Sequence, residues 1–177
     1  MGAKVKFDTR KIIPKLMVSL NKSISKKTLL DSLAEFLQLR IYQFTKRGKS
    51  LALEGAKIKE LSPGYKKWRR KVFKNNGKLL RDRGSIRFGD FFSPNRSNLT
   101  LTGQMLDALT HKTIPSDAQM VVTVKNTARK NDELSNSQVA KEVAENGRPF
   151  LGIDTKTKDI VRRKIITELR RSLRRKR

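Results

Sequence analysis

The residues best suited to chemistry are cations, and they crowd the stretch VRRKIITELRRSLRRKR at positions 161–177. Arg162, Arg163, Lys164, Arg170, Arg171, Arg174, Arg175, Lys176 and Arg177 all lie in it. Guanidinium forks and ammonium groups bind phosphate or carboxylate oxygens through charge-assisted hydrogen bonds, so the chemistry on offer is recognition of an anion. Residues for bond-breaking chemistry are much thinner. His111 is the only histidine and there is no cysteine, which leaves no imidazole or thiolate set for a metal. No nucleophile-elbow glycine pattern accompanies a serine. The carboxylates are sparse and mostly flanked by lysine or arginine, as in surface ion pairs rather than paired catalytic acids. RDRGSIRFGD has two glycines without phosphate-loop spacing. The expectation is a protein without catalytic residues, metal ligands or cofactor.

Something must hold those cations in place. Val161, Ile165, Leu169 and Leu173 recur every fourth residue, one narrow apolar edge on a helix. That edge wants a protein core, and the rest of the helix wants water or a large anion. The whole chain repeats the imbalance. Its 177 residues suit a single domain, and 42 Lys+Arg against 16 Asp+Glu give a net charge of +26. Such a surplus repels itself unless a polyanion or an acidic surface is near. Nucleic acid is the first choice, through counterion release at phosphates, with an acidic protein or anionic membrane surface second. No apolar run approaches the roughly 20 residues of a membrane helix. MGAKVK lacks a signal-peptide core, and Lys6 stands where a myristoylation signal has Ser or Thr. Synthesis in the cytosol is expected.

Hydrophobic residues are only 36% of the chain, but their periodicity argues for a folded domain. Residues 8–22 have helical spacing, within an N-terminal arm or helix over 1–24. Thr28 and Asp31 have capping-box spacing ahead of Leu29, Leu33, Phe36, Leu37, Ile41 and Phe44, and Gly48 ends that helix. Ser62-Pro63 opens another, with Tyr65, Trp68, Val72 and Phe73 inward and Lys66, Lys67, Arg69, Arg70 and Lys71 outward. Residues 78–98 read as a basic loop, in which Phe88, Phe91 and Phe92 are a candidate subunit contact.

Leu99 and Leu101 alternate with threonines in an extended run, Gly103 turns the chain, and Met105, Leu106 and Leu109 line a short helix. Thr113-Ile114, Pro115-Ser116-Asp117 and Met120–Val124 spell a β-hairpin. Ser137 opens a further helix, with Val139 and Val143 on one side and Gly147 as its stop. The order gives an α+β fold, a small antiparallel sheet packed by N-terminal and C-terminal helices, and a basic tail at 170–177.

Three stretches, LSPGYKKWRRK (61–71), NLTLTGQMLDAL (98–109) and GRPFLGID (147–154), precede the terminal amphipathic helix. Together, and in this order, they resemble a family of tailed-bacteriophage morphogenesis proteins, the tail-completion and head–tail joining proteins of the neck. The likeness runs over roughly residues 25–173, with 78–98 standing as an insertion. Leu99, Leu101, Gly103, Met105, Leu106, Arg148, Pro149, Phe150 and Leu151 carry the motifs, and their physical roles are structural. The resemblance implies a virion protein, made in the bacterial cytoplasm and forming a ring, usually sixfold, between portal and tail tube. Its partners would be neighbouring neck and tail proteins and the packaged double-stranded DNA, contacted without sequence preference; no membrane is involved. The alternative on charge alone is a cellular, sequence-independent nucleic-acid binder of ribosomal or nucleoid type, although no helix-turn-helix, RNA-recognition or KH signature is present.

Overall fold

A computed structural model describes residues 4–8, 26–74, 104–129 and 133–174. Within them the fold is α+β. The hairpin is formed by β2 (Leu109–Ile114) and β3 (Gln119–Val124), antiparallel from Leu109 opposite Val124 to Ile114 opposite Gln119. Its turn runs through Pro115–Ala118, and Ala118 takes a left-handed φ of 50° while buried. The first strand is longer than the sequence suggested because the preceding helix, α3 (Gln104–Asp107), lasts one turn. Ala108 N–H closes that turn on Gln104, and the Ala108 carbonyl already accepts from Lys125 N–H beyond β3. Leu109, expected on the helix, therefore begins the strand.

A third strand completes the sheet. β1 (Lys4–Asp8) pairs antiparallel with the other edge of β3, giving the order β1-β3-β2 and placing Val5 opposite Val122 and Phe7 opposite Met120. This strand is not among the elements expected from the sequence. The cause is visible in KVKFD, which alternates lysine with an apolar residue, and in β3, whose second row of backbone groups needs partners. Lys4 and Lys6 are exposed. Apart from Asp8, the helical spacing read over 8–22 lies outside the described residues.

Helix α1 (Lys26–Lys46) covers the inner face of the sheet. Leu29, Leu30, Leu33, Ala34, Leu37 and Ile41 are buried, a broader stripe than the sequence reading, which left out Leu30 and Ala34. They meet Met120, Val122 and Val124 of β3 in one core. The expected capping box does not form. The helix already includes Lys26, so Thr28 lies inside it, and the Asp31 carboxylate instead accepts a hydrogen bond from the Thr113 hydroxyl on β2. Gln38 ties the same two elements: its Nε2 donates to the Leu109 carbonyl at 2.9 Å and its Oε1 accepts from His111 Nδ1–H at 2.7 Å. The lone histidine is thus committed to the helix–sheet seam. The helix ends as expected at Gly48, whose φ of 71° is left-handed.

Helix α4 (Asn136–Glu145) starts one residue before Ser137, the expected opener. Ser135 is its N-cap, with a reciprocal capping box to Gln138. The neighbouring stretch is polar for a reason. Ser137 Oγ donates to Asn126 Oδ1 at 2.6 Å and Asn136 Nδ2 to Thr127 Oγ1 at 2.9 Å, fastening α4 to the exit of β3. Replacing Ser135 with alanine removes the hydroxyl that accepts from Gln138 N–H and leaves the backbone half of the box in place. The expected cost is about 1 kcal/mol, read as a melting temperature roughly 2–4 °C lower.

Candidate nucleic-acid interface

The basic helix is α5 (Thr155–Arg174). It emerges from a segment built to fix its base. Phe150, 1% exposed, is buried in the main core as the GRPFLGID motif implied, and Leu151 packs partly against it. Upstream, Gly147 takes a φ of 75°, and Arg148 N–H closes on Val143, turning the chain out of α4. The Arg148 guanidinium holds the Glu60 carbonyl through Nη2 at 3.0 Å. Pro149 presents its carbonyl to the buried Ser50 hydroxyl. Ser50 in turn opens a short 3-10 turn, Leu51–Leu53, accepting from Ala52 N–H. Gly152 lies directly on that turn: a Cβ there would sit 2.3 Å from Ala52 Cα.

Two carboxylates then cap α5. Buried Asp154 accepts from Thr157 N–H at 2.8 Å, and Glu54 reaches across from the 3-10 turn to accept from Thr155 N–H at 2.8 Å. Negative charge at a helix N-terminus complements its dipole, and these bonds satisfy two of the otherwise unpaired first-turn donors. Arg40 of α1 adds a third tie, its Nε donating to Thr157 Oγ1 at 2.6 Å. None of Gly152, Asp154, Glu54 or Arg40 was picked out from the sequence. "GID" before a threonine is a cap signal only once the helix start is known to be Thr155.

Along α5, Val161 and Ile165 are fully buried in the main core, as the four-residue spacing implied. Burying each contributes about 1.5–3 kcal/mol to docking the helix. Ile166 also packs partly on the core, so the apolar edge is wider than the four residues read from sequence. The side chains of Leu169, Leu173 and Arg174 fall outside the described residues, as do Arg175, Lys176 and Arg177. The helix continues to Arg174, so the first five residues of the expected basic tail are its last turns.

Arg162, Arg163, Lys164, Arg170 and Arg171 are all exposed. Lys164 Nζ lies 4.7 Å from the centre of the Phe36 ring, a cation–π contact that steadies one of them. Arg171 pairs with Glu168 one turn back. Exposed pairs of this kind are worth little and leave the positive field of the helix nearly intact. On one side of this row, α5 and the first half of α1 enclose a cleft of about 690 Å³. It is lined by Thr28, Leu29, Ser32 and Leu33 from α1 and by Ile160, Arg163, Lys164, Thr167, Glu168 and Arg171 from α5.

A second basic surface lies on α2 (Pro63–Lys74). Its start is as expected, with Ser62 Oγ accepting from Tyr65 N–H and Pro63 at the first helical position. Its faces are not. Arg69, expected to point outward, is 2% exposed, while Tyr65, expected in the core, is 40% exposed. The spacing explains the exchange. Positions 65, 68, 69 and 72 form one stripe of a helix, so Arg69 lies on the same face as buried Val72. Its methylene stem suits an apolar site, and burial lowers its pKa, a trend opposed by Tyr65 and reinforced by Arg148. Tyr65 and Trp68 stack at 5.3 Å between ring centres with planes 14° apart. Beside them Lys66 holds Glu60 at 2.7 Å, lowering that carboxyl's pKa by hydrogen bonding first and by charge second.

Phe88, Phe91, Phe92 and the 78–98 loop, with Leu99, Leu101 and Gly103, lie outside the described residues. Met105 and Leu106 are buried, as the motif implied. Among the described residues no group of three histidines, cysteines or carboxylates is placed to hold a metal, and no helix is long and apolar enough to cross a membrane. What α5 offers is a set of exposed positive charges on a docked helix, with hydrogen-bond donors spread over about two and a half turns. A scan against protein-family models, a search of curated proteins and a search of solved structures each found no match.

Proposed function

We propose that this chain is a non-enzymatic structural protein of a tailed phage, a tail-completion or head–tail joining component of the neck. Its copies form a ring, expected to be sixfold, around the channel through which double-stranded DNA passes. One observation carries the DNA-facing half of this reading: five exposed cations of α5 stand on a helix whose base is capped, pinned by Arg40 and buried at Val161 and Ile165. Fixed charge on a rigid mount suits a smooth, sequence-independent contact with phosphates, which carry no base information. The neck itself rests on the order and spacing of the three sequence stretches. A ring multiplies a charge of +26 by its copy number. Assembly is therefore expected to need an anionic counterpart, either DNA or acidic surfaces of adjoining neck and tail proteins.

A cellular, sequence-independent nucleic-acid binder is the second reading. The half-open Tyr65–Trp68 stack among the exposed Lys67, Arg70 and Lys71 favours it, because aromatic faces beside cations suit unpaired bases. Immunogold labelling of the protein in a lysate of its native source separates the two. Gold is expected at the junction of head and tail. Gold on ribosomes or nucleoids, and none on particles, would end the phage reading.

A further inference from the structure

The cleft between α1 and α5 sets apolar side chains beside the cations of the basic helix in one concave site. Leu29 and Leu33, part of the main core, form its α1 side, and half-buried Ile160 opens it on α5. Arg163, Lys164 and Arg171 stand around it, with the hydroxyls of Thr28, Ser32 and Thr167 between. A DNA duplex presents phosphates on a convex surface and gains nothing from an apolar hollow. A helix that carries carboxylates beside apolar side chains gains from both features.

We propose that this cleft receives an acidic, amphipathic segment of a partner protein, its apolar side chains against Ile160 and Leu29 and its carboxylates on Arg163, Lys164 and Arg171. Charge complementarity commits the occupant to a foreign chain. Apart from Asp132-Glu133, no two acidic residues of this sequence are adjacent, and 42 cations against 16 acids leave it no acidic stretch to offer a second copy. The rim is also suited to the exchange. A guanidinium has five N–H donors, and Arg171 uses Nη1 on Glu168, a rim pair that an incoming carboxylate can share. Lys164 lies over the Phe36 ring, which orients its ammonium without neutralising it. The volume of about 690 Å³ holds a few side chains, an anchor for a short helix rather than a seat for a domain.

The inference supplies a protein partner to the ring component proposed above, but its test uses the isolated full chain, so either can fail without the other. Two labelled synthetic peptides of identical Leu and Glu composition serve as probes. In one the leucines follow i, i+3, i+4, i+7 spacing, and in its isomer they are dispersed around the helix. Fluorescence anisotropy at physiological salt is expected to show the patterned peptide binding about tenfold more tightly than the isomer. Ser32→Trp and Thr167→Trp fill the cleft from exposed positions without changing charge or core. Each is expected to abolish the preference while leaving affinity for a short DNA duplex unchanged. Equal binding of the two peptides to the unmodified chain would overturn the proposal, whatever the variants do. So would a preference that survives both tryptophans, or duplex affinity that falls in step with that of the peptide.

Discussion

Replacing Gly152 with alanine is expected to destabilise the domain by about 3 kcal/mol, a fall of roughly 6–12 °C in melting temperature. The cost is steric. Gly152 does not have a left-handed φ, so left-handed backbone strain is not part of the cost. The new Cβ, however, would lie 2.3 Å from Ala52 Cα, 2.4 Å from Ala52 Cβ and 2.6 Å from Ala52 N. Two of those atoms are backbone, and the 3-10 turn that bears them cannot retreat freely. Ser50 anchors it to the Pro149 carbonyl, and Glu54 at its far end caps α5. Relief requires the turn and the 149–154 segment to part, which loosens the base of the basic helix. A companion substitution identifies the contact. Ala52→Gly removes only the Cβ, so it should restore little stability to the Gly152→Ala protein. Full rescue by Ala52→Gly would show that the side chain alone sets the limit. Thermal unfolding followed by circular dichroism reads both.

Gly152 also shows where the sequence stops being legible. Periodicity within one element announces itself, and the long helix at Leu29–Phe44, the Ser62-Pro63 start, the hairpin and the buried Val161–Ile165 edge were all readable. Each depends on neighbours a few residues away. Contacts between distant segments leave no such trace. Ser50 meets Pro149 and Glu54 meets Thr155 across about a hundred residues, and nothing in SLALEG or RPFLGID names the other. The two misread polar residues fail for the same reason. Asp31 has the spacing of a cap but serves Thr113 on a strand, and Arg69 looks like surface charge although its stripe position places it inside. Strand β1 was hidden because five residues of KVKFD become a strand only when β3 offers an edge. The row of cations on α5 could be read directly. The cleft beside it could not, since four of its ten lining residues come from α1.

Exchanging Arg162, Arg163, Arg170 and Arg171 together for glutamine tests whether that row touches phosphate. Each contact to duplex DNA contributes about 0.9 to the slope of log K against log salt. Four lost contacts should therefore flatten the slope by about 3.6 and weaken binding at 0.1 M salt by roughly three decades. Glutamine is shorter and has two N–H donors in place of five, so it removes the charge while leaving a polar, uncharged side chain at each exposed position. Lys164 is left in place because its position over Phe36 ties it to the fold as well as to the surface. Stability should hold or improve. All four residues are exposed, the Arg171–Glu168 pair is a surface pair of small worth, and the net charge falls by four on a chain that repels itself. Deleting residues 170–177 removes six cations from the C-terminal end of the chain and should flatten the slope by several units too. Comparing the two per cation removed locates the DNA: a larger effect of the deletion puts the phosphates toward the C-terminal end, and a larger effect of the four glutamines brings them back toward the base of α5. An unchanged slope in both would turn the cations toward an acidic protein neighbour, the class of partner proposed for the adjacent cleft.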